Sequence, residues 1–133
     1  MTTVAFEAIR TENPECSAGP SSSYLCSPGR VTFTTVRINE GQGFHDNGTF
    51  IAPLDGVYNF EVSVAHQNNA DLAMKTTRTK MYSSYGNEQR SVGKTATLKM
   101  EKGDGIYVDN QANRNSIRAD TTYPMTFKGF KIN

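Results

Sequence analysis

Apolar and polar positions alternate with a period of two along much of this 133-residue chain. Between 57 and 66, Tyr58, Phe60, Val62, Val64 and His66 share one side, and Asn59, Glu61, Ser63 and Ala65 share the other. Successive side chains leave a strand on opposite faces, so this run predicts a half-buried strand. Residues 95–100 repeat it, with Ala96, Leu98 and Met100 inward and Thr95, Thr97 and Lys99 outward. Runs rich in β-branched and aromatic residues predict further strands at 31–38, 106–108 and 125–132. Leu72, Ala73, Met74 and Lys75 alone would suit a helix, but Thr76, Thr77 and Thr79 follow them. β-branched residues are poor helix formers, so 70–82 is also predicted as strand.

Turn residues punctuate these runs: Pro28-Gly29, Asn39-Glu40-Gly41, Asn47-Gly48, Asp55-Gly56, Tyr85-Gly86-Asn87, Gly103-Asp104-Gly105 and Tyr123-Pro124. Short strands with such corners indicate a sandwich or barrel rather than alternating helices and strands. The length suits one domain, taken as 1–133, with a core that needs no metal to hold it.

Composition narrows the function classes. Fourteen Lys and Arg against thirteen Asp and Glu leave a formal charge of +1, with no run of five like signs. Nucleic acid and anionic membranes both call for a clustered positive field, which is missing here. No apolar stretch approaches the ~18 residues of a membrane span, so no membrane insertion is expected. The first residues, Met-Thr-Thr-Val-Ala-Phe, lack the basic start and apolar stretch of a secretion signal. They fit either a cytosolic protein or one whose signal has been removed.

The catalytic inventory is thin. His45 sits beside Asp46 in a turn region and reads as a solvated loop residue, while His66 ends an apolar strand face and reads as core or rim. No nucleophile elbow, phosphate loop or His-Glu-x-x-His helix occurs. Gly41-Gln42-Gly43 lacks the third glycine of a dinucleotide fingerprint, and no carboxylate pair suggests general acid–base work. The expectation is that the chain is not an enzyme.

Cys16 and Cys26 flank Ser-Ala-Gly-Pro-Ser-Ser-Ser-Tyr-Leu, a flexible loop by composition. Their pairing would contribute somewhat under ~3 kcal/mol in the loop-entropy treatment, and two free thiols in a reduced compartment are the alternative. With two distant histidines they make no four-ligand zinc site. Asn47-Gly48-Thr49 matches the N-glycosylation acceptor pattern and equally a tight turn. The two readings are compatible, and modification would require secretion.

The most specific signal is structural. Phe50-Ile51-Ala52-Pro53-Leu54-Asp55-Gly56-Val57-Tyr58-Asn59-Phe60 resembles the Phe-x-Ala-Pro-x-x-Gly-x-Tyr-x-Phe signature of the complement C1q globular head. Val4 to Ala8 resembles the opening strand of that family. Val31 to Val36, followed by Asn39, Gly41 and Phe44, resembles its second strand and turn. Gly103 to Val108 is similar to its Gly-Asp-x-Val-Trp-Leu, and Thr126 to Ile132 to its closing Thr-Phe-x-Gly-Phe strand. Pro53 can end a strand, Gly56 permits the turn, and Tyr58, Phe60, Phe127 and Phe130 are expected to supply inward aromatic area.

The resemblance implies an all-β jelly roll of ten strands in two antiparallel sheets, three copies packing around an axis with variable loops at one end. It implies a secreted, extracellular head whose signal has been removed, with no collagen stalk in this sequence. It further implies innate-immune pattern recognition or lectin-like binding of surface glycans or anionic patches. Candidate ligand residues are Arg78, Arg90, Arg114, Arg118, Asn110 and Asn113, which can bond sugars, carboxylates or sulfates. Rival readings are a signalling ligand for a protein receptor and a structural matrix trimer. No cofactor is expected. Glu88 and Gln89 resemble half of the family's calcium site, but Lys80, Met81 and Tyr82 stand where the other acid would lie, so calcium binding should be weak.

Overall fold

The computed structural model describes residues 3–11, 24–25, 29–64, 66–67, 70–77, 81–86, 92–110, 117–118 and 124–133. Among them the only regular elements are strands: β1 Ala5–Arg10, β2 Tyr24–Leu25, β3 Gly29–Arg30, β4 Thr35–Glu40, β5 Thr49–Ile51, β6 Gly56–Val64 and β7 His66–Gln67. There follow β8 Ala70–Thr76, β9 Met81–Gly86, β10 Val92–Met100, β11 Gly105–Asn110, β12 Ile117–Arg118 and β13 Met125–Lys131. The stretch predicted as one strand over 70–82 is strand at 70–76, but that strand ends at Thr76. A second begins at Met81 and takes in Tyr85 and Gly86, where the sequence predicts a turn.

Two antiparallel five-stranded sheets form the jelly roll. The first runs β10-β6-β13-β1-β4. In the second, β11 pairs with β8 on one side, and β8 with β9. On the other side of β11, β5 and β3 lie end to end, β5 along Gly105 to Tyr107 and β3 along Asp109 and Asn110. A small third sheet joins β2, β12 and β7.

Alternation places one side chain in two between the main sheets. Tyr58, Phe60 and Val62 of β6, Ala96, Leu98 and Met100 of β10, and Met125 and Phe127 of β13 are all buried. The second sheet answers with Phe50, Met74, Ile106 and Val108. Phe6 sits at the centre, its ring 4.7 Å from Phe50, 4.9 Å from Phe127 and 5.1 Å from Phe44 between centroids. Rings at such spacings add about 0.5–1.5 kcal/mol per pair beyond the area they bury.

Gly129 makes this centre possible. A Cβ there would lie 2.6 Å from Phe60 Cδ1 and 2.8 Å from Phe6 Cε1, so only glycine lets β13 approach the rings. The 39–49 connection is held by Asn39, whose Nδ2 donates to the Phe44 carbonyl (3.0 Å) while its Oδ1 accepts from the Phe44 amide (2.9 Å). The Asn47-Gly48 turn forms as expected. The Gly48 amide donates to the His45 carbonyl (2.9 Å), and the positive φ of 88° falls on Gly48.

Three further expectations are corrected. Residues 31–38 do not form one strand: β3 ends at Arg30, β4 begins at Thr35, and the chain passes between the main sheets in the gap. The Val31 amide still bonds to Val108 of the second sheet, whereas the Thr34 amide bonds to Ile9 of the first. The strand from 57 ends at Val64, and His66 pairs with Arg118 in the small third sheet instead of continuing the core face. Phe130 is not inward. It lies three positions after the buried Phe127, so a period of two places the pair on opposite faces, and Phe130 is 52% exposed.

Candidate assembly face and binding surface

The face of the first sheet that points away from the core carries two cross-strand rows, each fixed by register. One reads Thr97, Asn59, Phe130, Ala5, Glu40, and the next reads Thr95, Glu61, Lys128, Glu7, Ile38. Ala5 is the small member between larger neighbours. It leaves a shallow recess of about 360 Å³, walled by Phe130, Ile38, Glu7, Asn59, Glu61 and Lys128. Ile38 and Phe130 are exposed, and so are Val36 on the edge strand and Ile132, two residues beyond Phe130.

Charge frames this apolar centre. Lys128 Nζ lies 3.5 Å from Glu61 Oε1, and Arg37 Nη1 lies 3.5 Å from Glu7 Oε1. Exposed pairs of this kind contribute about 0–1 kcal/mol, so they orient the rim more than they hold the sheet. Asn59 Nδ2 donates to Thr97 Oγ1 at 3.0 Å, tying β6 to β10 on the same face.

The described part of the second sheet's outward face is mostly polar, with Ile51 an exposed apolar residue on it. Arg30 crosses the Tyr107 ring with its guanidinium carbon 4.1 Å from the centroid, and its Nη1 donates to Thr49 Oγ1 at 2.9 Å. Lys75 Nζ of β8 lies 3.0 Å from Asp109 Oδ2 of β11. The sequence reading did not single out Arg30. Its only trace there is a cation next to Gly29, and its meeting with Thr49 and Tyr107 depends on the pairing of β11 with both β3 and β5.

Of the proposed ligand residues, Asn110 and Arg118 are among the described residues. Asn110 closes β11, where its backbone pairs with Gly29 and Leu72, and Arg118 lies in β12, paired with Tyr24 and His66. Arg78, Arg90, Asn113 and Arg114 lie outside the described residues, as do Glu88, Gln89, Cys16 and Cys26. Asn47 is exposed, and its Oδ1 accepts a 3.1 Å bond from the Thr49 amide, closing the acceptor triplet into a local turn. His45 is exposed in that same turn, as the sequence predicts. Among the described residues no group of three or more His, Cys, Asp or Glu side chains could hold a metal ion, and no helix is long and apolar enough to cross a membrane.

Comparison with known proteins agrees with this architecture. The sequence model of the C1q domain matches residues 5–132. The globular domain of zebrafish complement 1qA protein superposes with a TM-score of 0.72 at 21% identity, over 98% of each chain. Murine APRIL superposes with a TM-score of 0.66 at 11% identity, over 98% of this chain and 99% of that one. At these identities the two structures speak for the fold, a jelly roll common to both.

Proposed function

Since this chain belongs to the C1q domain family, we propose that it is a non-enzymatic, extracellular recognition module that assembles as a homotrimer and binds repetitive surface glycans or anionic groups. The observation that supports the assembly is the outward face of the first sheet. Ile38 and Phe130 are exposed around a recess that the chain's second sheet cannot reach, and Ile132 is exposed two residues beyond Phe130. Isolated apolar residues on a surface need no explanation, but several on one sheet face suit a surface that neighbouring copies cover.

Threefold assembly gives weak sites a use. A shallow polar surface offers hydrogen bonds and little apolar burial, so a single sugar would bind in the millimolar to high-micromolar range. Three linked sites raise apparent affinity by roughly 10²–10⁴ on a repetitive ligand of matching spacing. Microbial polysaccharide carries that repetition, and a free sugar does not. The test compares the intact protein with an assembly-deficient variant on polysaccharide-coated beads and with free sugar. The reading requires strong bead binding by the intact protein, weak binding of free sugar, and loss of bead binding in the variant. Equal bead binding by both would remove avidity from the mechanism. Selective capture of one cell-surface protein, with no binding to any glycan, would favour the receptor-ligand reading instead.

A further inference from the structure

Arg30 differs from an ordinary surface cation in two respects. Its guanidinium already rests on the Tyr107 ring at 4.1 Å and donates from Nη1 to Thr49 Oγ1 at 2.9 Å, yet the residue is exposed. An exposed arginine normally loses side-chain freedom when it grips a ligand, and this one has surrendered much of it beforehand. Thr49, only 4% exposed, anchors one N–H of the fork to the sheet and leaves the remaining donors for a planar anion.

Among the described residues the Arg30 guanidinium has no ion-pair partner. Asp109, directly across from Arg30 in the strand register, has Lys75 Nζ 3.0 Å from its Oδ2. The setting around Arg30 is built from Thr49, Tyr107 and the Lys75–Asp109 pair.

We propose that Arg30, stacked on Tyr107 and braced by Thr49, is a subsite for the carboxylate of an acidic sugar, on the outward face of the second sheet. The proposal deepens the glycan-binding reading and rests on it. A carboxylate matches the planar fork of guanidinium in two parallel hydrogen bonds. A lone arginine on a shallow polar face suits a polymer that brings one carboxylate per sugar. Segments dense in acidic residues are recognised instead by arginine clusters, and the described part of this face has a single arginine.

The experiment uses the full chain and beads coated with polygalacturonate, its methyl ester, a neutral polysaccharide, or polyglutamate. The expected result is binding to polygalacturonate, weakened at least tenfold in Arg30→Ala and on the methyl ester, because charge-assisted bonds carry about 10- to 100-fold per site. Arg30→Lys should recover only part of the binding, since an ammonium keeps the charge without the fork or the stacking. Unchanged assembly mass and melting temperature would show that each variant remains folded. Polygalacturonate binding that Arg30→Ala leaves intact would overturn the subsite while sparing the glycan reading. Polyglutamate bound as tightly as polygalacturonate would assign the site to acidic proteins. Failure on every polysaccharide would remove both the subsite and the glycan reading.

Discussion

The Tyr58 hydroxyl donates a 2.7 Å hydrogen bond to the Leu54 carbonyl, four residues back along the chain. This bond joins the buried start of β6 to the turn that precedes it, and so gives a physical reason for Pro53, Gly56 and Tyr58 to travel together. The same turn is tied across the sheet end. The Ala52 amide donates to the Asp104 carbonyl (2.8 Å), and the Lys102 amide donates to Asp55 Oδ1 (2.7 Å). The two most recognisable segments of the sequence, 50–60 and 103–108, are therefore the two halves of one corner.

Replacing Tyr58 with Phe keeps the ring and removes the bond. The cost should be the modest net value of about 0.5–1.5 kcal/mol typical of one hydrogen bond. Urea unfolding of Tyr58→Phe beside the wild type measures it. A change well above 3 kcal/mol would mean that the hydroxyl holds more than this corner.

The same hydroxyl should make stability fall at high pH. Burial raises the Tyr58 pKa above its ordinary value of 10.0, and the nearby Asp55 charge acts in the same direction. The folded protein then keeps a proton that the unfolded chain releases. Its contribution is complete below pH 10.0 and is lost as pH rises through the folded value. The stability advantage of wild type over Tyr58→Phe should accordingly shrink in alkaline solution, followed by unfolding of both at several pH values. A gap that widens there would contradict the assignment.

Gly129→Ala tests the aromatic centre. The added methyl would meet Phe60 at 2.6 Å, Phe6 at 2.8 Å and the Asn59 carbonyl oxygen at 3.0 Å, with a backbone atom among the three. Overpacking of this kind costs about 1–3 kcal/mol. Denaturant unfolding should show that loss, and wild-type stability would mean that the rings have room to move.

Much of this fold was legible because burial follows alternation wherever a strand stays in one sheet. Ala96, Leu98 and Met100 are buried, and Thr95, Thr97 and Lys99 between them are exposed, as their order predicts. The reading failed where the chain changes sheets, as at 31–34, because crossing residues can be apolar without pairing in one ladder. It also failed where chemical type outweighed parity. Phe130 was grouped with Phe127 for being aromatic, although their spacing separates the two faces. The Arg30 platform was illegible for a different reason: residues 30, 49 and 107 meet only through strand pairing that no local pattern encodes.

Central to the proposed function is the claim that Phe130 and Ile38 lie on a face buried between copies. Light scattering over a dilution series, on wild type and Phe130→Asp, tests it most directly. A half-exposed side chain replaced by a charge should change the stability of a single chain by no more than about 0.5 kcal/mol, so the variant should remain folded. The account predicts a wild-type mass three times the 14.7 kDa of one chain, and a folded variant of 14.7 kDa. A wild-type protein that stays at 14.7 kDa at every concentration, or a variant that keeps the threefold mass, would contradict it.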